Sequence, residues 1–370
     1  DPRDNWDKTN GRIYRIVYQK RPKVDPFDLS KLSTDDLIAL RTRTNDWWPD
    51  TARRILAERR DPKTIPKLRA LVDEDRDPVL AMRDLWALDV SGGIDAHSAE
   101  DLLNHPLSGV RRWAVRLLGD HHWMSPSILS ALLERARTDS DAQVRSQLAA
   151  SAQRWPISES LSVIETLAER PEDSRDEHIP LQLWWAVEKL MREDAGLVVT
   201  RLGTARMQDQ PLVREWLLER MARALASDGS FDLLANLIEQ APGDPELERV
   251  AAGIDKGFEG RSLARVPEKL VPVMDRLWSG KPAPFDRLRL AARLGSPDAY
   301  STLARLAEEK TAPAADRLAA IEVLGQIDRP EGQERLLSVL TRDGESSTIQ
   351  RATLAALSAY ESQEVADLIL

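Results

Sequence analysis

Three stretches of this 370-residue chain, VRRWAVRLLG (110–119), DRLRLAARLG (286–295) and DRLAAIEVLG (316–325), carry one pattern. An arginine is followed by a small or apolar residue three positions on, leucine seven on and glycine eight on: Arg111, Ala114, Leu118 and Gly119; Arg287, Leu290, Leu294 and Gly295; Arg317, Ala320, Leu324 and Gly325. Weaker copies start at Arg145, Arg214, Arg249 and Arg351. The longer gap from Arg145 to Arg214 holds one more copy, PLQLWWAVEKL (180–190), in which the arginine is replaced. Degenerate copies upstream are WPDTARRILA (48–57) and PVLAMRDLWAL (78–88). Offsets of three, four and seven place the apolar residues on one stripe of an α-helix. Second helical patterns lie between, such as SPSILSALLERA (125–136), SESLSVIETLAER (158–170) and GQERLLSVL (332–340), several opening on a capping serine. A pair of amphipathic helices every thirty to forty residues cannot enclose a core alone, so consecutive pairs must stack in file as an all-α solenoid.

Tandem hairpins with the signature D-x-x-V-R-x-x-A-x-x-x-L-G resemble HEAT repeats over roughly residues 28–370, so the expected fold is a HEAT-like α-solenoid, an α-α superhelix. The resemblance implies that the arginine at this register pairs with an Asp of the adjacent repeat. Arg111, Arg112 and Arg116 form the densest basic spot within a copy, and a structural ladder or a surface for an acidic partner are both open readings. Two Pro- and Gly-rich stretches, APGDPE (241–246) and SGKPAPF (279–285), are candidate bends.

The opening NGRIYRIVYQ (10–19) departs from this pattern. Asn-Gly suits a tight turn and Ile, Tyr and Val favour extended backbone, so it reads as a short β-strand whose pairing groups need a sheet elsewhere. KTNGRIYRIVYQ, followed by PFDLSKLSTDDLIALRTRTNDWWPDTARRILAER, resembles the passage from a β-propeller into a HEAT region in large proteins of PVC-group bacteria. Those proteins are called putative membrane-bound dehydrogenases, and join an exported sugar-dehydrogenase-like propeller, helical repeats and a c-type cytochrome or haem-binding domain. On that resemblance residues 1–21 are the terminal strand and linker of a propeller; the Pro- and Gly-rich stretch from 279 divides the repeats into an N-terminal block, residues 22–278, and a C-terminal block, residues 279–370. The resemblance also implies an exported or periplasmic location and haem c in the parent, with no catalytic or haem-ligating residue carried onto this chain. The apolar ending EVADLIL (364–370) is expected to face a continuation or a neighbour at Leu368, Ile369 and Leu370.

Composition narrows the function classes. A net charge of −9 disfavours phosphate backbones, and no segregated basic face is legible, so nucleic acid is not an expected partner. The absence of cysteine removes thiolate metal sites, cysteine nucleophiles and C-x-x-C-H haem attachment from these residues. No apolar run is long enough to span a membrane.

Candidate site residues are few. Trp47-Trp48 and Trp184-Trp185 either pack at repeat joints or stack on a glycan or partner, since adjacent helical residues point about 100° apart. His121-His122 follows the first strong copy and is either a solvent-facing turn or two ligands of a metal site that lacks a spaced third. In DEDRDP (73–78), Asp73, Asp75, Asp77 and Asp84 have superficial calcium-loop spacing, but Pro78 and Asp84 stand where such a loop needs Gly and Glu. A loop capping the next helix is the plainer reading. GIDKGFEG (253–260) forms no dinucleotide fingerprint. No catalytic residue, cofactor site or metal site is assigned. The expected function is a noncatalytic scaffold joining protein partners or adjacent domains. A HEAT-like lyase or glycosylase with a groove active site and a stand-alone adaptor are the alternatives.

Overall fold

The computed structural model describes residues 14, 26–259, 261–263, 265–274, 276, 285–327 and 329–360. The expected strand at 13–18 lies outside these, Tyr14 apart, as do the block boundary at 278/279 and the ending at 368–370. The described secondary structure is helical, and the chain divides into two compact units, residues 1–93 and 94–370.

Unit 1 contains α1 (Thr34–Ala39), α2 (Trp47–Arg59), α3 (Thr64–Glu74) and α4 (Pro78–Val90). Asp77 caps α4 by accepting from the Val79 and Leu80 amides at 2.8 and 3.2 Å, with Pro78 at the first helical position. α2 and α4 pack together, burying Ala52 and Leu56 from one and Ala81, Leu85 and Leu88 from the other, which are the stripes of the two degenerate copies.

Unit 2 runs through α5 (Ala96–Leu102), α6 (Ser108–Asp120), α7 (Pro126–Thr138), α8 (Ala142–Ser151), α9 (Ile157–Ala168), α10 (Ile179–Leu202), α11 (Ala205–Gln208), α12 (Leu218–Asp228), α13 (Phe231–Gln240) and α14 (Asp244–Gly257). It continues with α15 (Phe285–Arg293), α16 (Pro297–Glu308), α17 (Ala314–Gln326), α18 (Pro330–Leu340) and α19 (Ser347–Leu357). The contacts define a solenoid. Helices bearing the arginine register stack in one row, with α6 on α8, α8 on α10, α12 on α14, α14 on α15 and α17 on α19. The intervening helices form a second row, in which α7 meets α9 and α16 meets α18. Each hairpin buries its stripe only against its neighbours, as the periodicity requires, and this is an all-α, HEAT-like solenoid.

Local chemistry sets the joints. Ser125, Asp141, Ser296 and Ser346 accept from amides of the first turn they precede. Ser158 does not cap, because α9 starts one residue earlier at Ile157. APGDPE is a three-residue joint, Ala241 to Gly243, with Ala241 buried. α10 breaks at Asp194 (φ −154°, ψ 88°), whose carboxylate accepts from the Leu197 amide at 2.8 Å. A run that looks like one long helix is therefore two, the second capped by Asp194.

The register glycines are contact points between helices. A Cβ on Gly119 would stand 3.0 Å from Ser151 Cβ in α8, and one on Gly325 2.7 Å from Ala356 Cα in α19. Gly253 and Gly257, one turn apart on α14, face Ala222 and Ala226 of α12, where an added Cβ would come to 2.8 and 2.6 Å. Their role is close helix packing.

Candidate functional site

The ladder is present in unit 2. Arg111 donates to the Asp139 carboxylate from Nε and Nη2 at 2.7 and 2.8 Å, and from Nη1 to the His105 carbonyl at 2.9 Å. Arg145 does the same in the next copy, with 2.7 and 2.6 Å to Asp173 and 2.7 Å to the Asp139 carbonyl. Arg317 clamps Glu345 at 3.0 and 2.7 Å. Each acid lies 28 residues beyond its arginine. Paired N–H donors matched to a planar carboxylate make these strong, directional bonds. Burial pushes the Asp139 carboxyl up, but the Arg111 and Asp141 hydrogen bonds outweigh it and hold the group below the usual carboxylate range. Not every copy joins in: Arg249 and Arg351 are exposed, and Arg214 reaches Glu246 only at 3.5 Å.

The residues singled out from the sequence separate. In unit 1, Trp48 stacks on Phe27 at 4.8 Å and Trp47 meets both edge-on, with Trp47 49% exposed. In unit 2, Trp184 is half-buried on α10 and Trp185 is 45% exposed. His121 stacks on Trp123 at 4.3 Å, while His122, at φ +55°, places Nδ1 2.7 Å from the Arg154 carbonyl. Each histidine is thus engaged locally, and among the described residues no group of three or more His, Cys, Asp or Glu is placed to hold a metal ion. The calcium-like spacing resolves into separate duties: Asp77 caps α4, while Asp75 and Asp84 share Arg41 Nη1 at 2.6 and 2.8 Å.

Two pockets in unit 2 are lined by polar and charged side chains. One, of about 670 Å³, crosses α6, α8 and the start of α10, and its walls include Arg112, Trp113, Arg116, Gln143, Gln147 and His178. Arg116 lies over the Trp113 ring at 4.9 Å, Arg112 donates to Gln143 Oε1, and Asp176 accepts from the His178 and Ile179 amides at the head of α10. Its cations Arg112 and Arg116 are matched by Asp176 and Glu177, so it does not select polyanions. Arg112, Trp113 and Arg116 follow Arg111 by one, two and five positions, and Ser146, Gln147 and Ala150 follow Arg145 by the same steps. The register thus fixes which side chains line the groove. The other pocket, of about 660 Å³, lies along α14, α15 and α17.

No protein-family profile and no curated protein matches the chain. Solved structures similar to it include an engineered protein, at 17% identity over 89% of this chain and 99% of that one with a TM-score of 0.33. The complex of CpcE and CpcF of phycocyanin lyase from Nostoc is 13% identical over 75% and 92%, with a TM-score of 0.30. The UNC-45 chaperone, critical for binding and folding muscle myosin, is 16% identical over 87% and 41%, with a TM-score of 0.31. These superpositions are loose and carry no functional argument. No described helix is long and apolar enough to cross a membrane.

Proposed function

We infer that the chain is a noncatalytic HEAT-like scaffold that docks a protein, or an adjacent domain of the same chain, along the groove of α6, α8 and α10. The observation that carries this reading is that three consecutive repeats contribute polar and aromatic side chains, centred on Trp113, to one continuous pocket of about 670 Å³. A tryptophan among balanced charges and amides suits a protein surface, since aromatic anchors inside a polar rim dominate such interfaces. Trp185, one turn beyond the groove residue Gln182 on α10, extends the same helix face with exposed aromatic area.

In its finer form the proposal places the solenoid between an exported sugar-dehydrogenase-like propeller and a haem-binding domain, fixing the distance and orientation of the two. Its support is the motif resemblance of residues 8–59. The test has two parts. The complete reading frame is expected to encode a leader and propeller upstream and a C-x-x-C-H motif downstream; a frame without them removes the dehydrogenase parentage and leaves the scaffold. A photo-crosslinker at Gln147 or Gln182 in the full-length protein should trap one defined segment and lose it on Trp113→Ala with Arg116→Ala. Diffuse crosslinking indifferent to that double substitution would overturn the docking groove.

A further inference from the structure

The pocket along α14, α15 and α17 contains an arginine of the ladder that lacks its rung. Arg287 occupies the register of Arg111, Arg145 and Arg317, and at 6% exposure it is as buried as Arg145 at 5%. Among the described residues it makes no hydrogen bond and has only longer ion pairs, from Nη2 to Glu248 at 3.6 Å and to Asp244 at 3.9 Å, both on exposed side chains. The reason is in the sequence. At the separation that Asp139 keeps from Arg111, the position downstream of Arg287 holds Ala315; counted six back from the next arginine, Arg317, the acid's place holds Thr311. The interval from Arg287 to Arg317 is shorter than that from Arg111 to Arg145, and the internal partner has been lost with the missing positions. Thr311 is exposed and donates to Glu309 at 3.0 Å.

A buried guanidinium without hydrogen bonds is costly, and five donors in a fixed fork match a carboxylate. The pocket wall supplies a second buried donor, Arg293 Nε, which also has no hydrogen-bond acceptor. Arg289 and Arg293 are otherwise committed to Asp255, at 2.9 Å from Arg289 Nε and 2.5 Å from Arg293 Nη1, and Arg293 Nη2 to Gln326 at 2.5 Å. Around the rim Lys256 and the three arginines are balanced by Glu248, Asp255, Glu259 and Glu322, which disfavours a polyphosphate and admits a ligand with one or two negative charges. The volume of about 660 Å³ is in the range that encloses a small metabolite.

We propose that this pocket binds a small carboxylate ligand, with Arg287 as its anchor and the ligand carboxylate supplying the hydrogen bonds that Asp139, Asp173 and Glu345 supply in the complete rungs. The proposal is independent of the docking groove on α6, α8 and α10.

The experiment titrates glutarate, and in a second arm an Asp-rich hexapeptide, into the protein by calorimetry and by amide NMR. Wild type is expected to bind glutarate saturably, with shift changes confined to α14, α15 and α17, and Arg287→Met to bind about tenfold or more weakly, as loss of a charge-assisted bond implies. Arg192→Met, at an exposed site on α10, should leave binding unchanged. In the absence of ligand, Arg287→Met should lower Tm less than Arg145→Met, because Arg287 has only ion pairs of 3.6 and 3.9 Å to the exposed Glu248 and Asp244, whereas Arg145 is hydrogen-bonded to the buried Asp173. Thr311→Asp should restore a rung and weaken glutarate binding. The proposal fails if glutarate does not saturate, if only the hexapeptide does, if Arg287→Met binds as wild type, or if Arg287→Met lowers Tm as much as Arg145→Met.

Discussion

Asp139 is bonded to the arginines of two successive repeats: its carboxylate accepts Arg111 at 2.7 and 2.8 Å, and its backbone carbonyl accepts Arg145 at 2.7 Å. One residue thus couples α6, the end of α7 and α8. Replacing it by alanine strands the Arg111 guanidinium and is expected to destabilise unit 2 by about 3–5 kcal/mol, the range for breaking a buried pair. Chemical denaturation checks this, and Arg111→Met with Asp139→Leu should cost less than the sum of the two singles. Additive losses would mean the two side chains act independently.

Unit 1 holds a carboxyl whose pKa burial raises well above the usual carboxylate range. Burial pushes Asp84, 1% exposed, up to about 6, with Arg41 and Arg83 opposing and Asp75 adding to the rise. The folded pKa lies above the unfolded value of about 4, so the contribution of Asp84 is fully present below pH ~4 and is lost as pH rises through about 6. Asp75 behaves oppositely: the Arg41 hydrogen bond lowers its pKa, so its stabilisation is present above ~4 and fades on acidification. Hydrogen exchange of α2 and α4 should slow, after correction for intrinsic rates, as pH falls from 7.5 to 5, and Asp84→Asn should flatten that trend. An unchanged slope in the variant would assign the effect elsewhere.

Helix propensity alone says that glycine to alanine inside α14 stabilises. At Gly253 the sign reverses, because the new methyl would run into the Glu219 carbonyl and Ala222 of α12. Gly253→Ala should lose about 1–3 kcal/mol by overpacking, read as a lower urea midpoint. A gain would mean that α12 and α14 can move apart freely.

The break in α10 depends on one side chain. Asp194→Ala removes the acceptor of the Leu197 amide and should cost about 1 kcal/mol, with faster exchange confined to residues 195–202. Protection spreading evenly along 179–202 would show a single continuous helix instead.

The row architecture was legible because Ala114, Leu118 and Gly119 repeat at fixed offsets, and such a stripe has only neighbouring stripes to bury against. The ladder was legible through the same register. The groove was legible only in Arg112 and Arg116, marked as a basic spot; Trp113, Gln143, Gln147 and His178 join them across three repeats, which the spacing within one copy does not encode. Trp and His doublets drew attention by composition, yet an exposed ring such as Trp47 is placed by its local partner Phe27, a contact that spacing does not encode. The division of α10 lies beyond the copy at 180–190, and its only trace in the sequence is Asp194, an N-cap residue type ahead of the apolar Leu197, Val198 and Val199. The stranded Arg287 becomes visible only when its acid is sought at the shortened spacing.

The polarity of the three complete rungs, each from arginine to an acid 28 residues downstream, also bears on which shortened versions of unit 2 are viable. A cut placed after Arg145 but before Asp173 leaves a cation in the interior without its carboxylate, held only by the Asp139 carbonyl, whereas a cut after Asp173 closes the rung. During synthesis the same order holds for these three rungs: each guanidinium emerges ahead of its acid, so each rung closes only when the loop of the next repeat has left the ribosome.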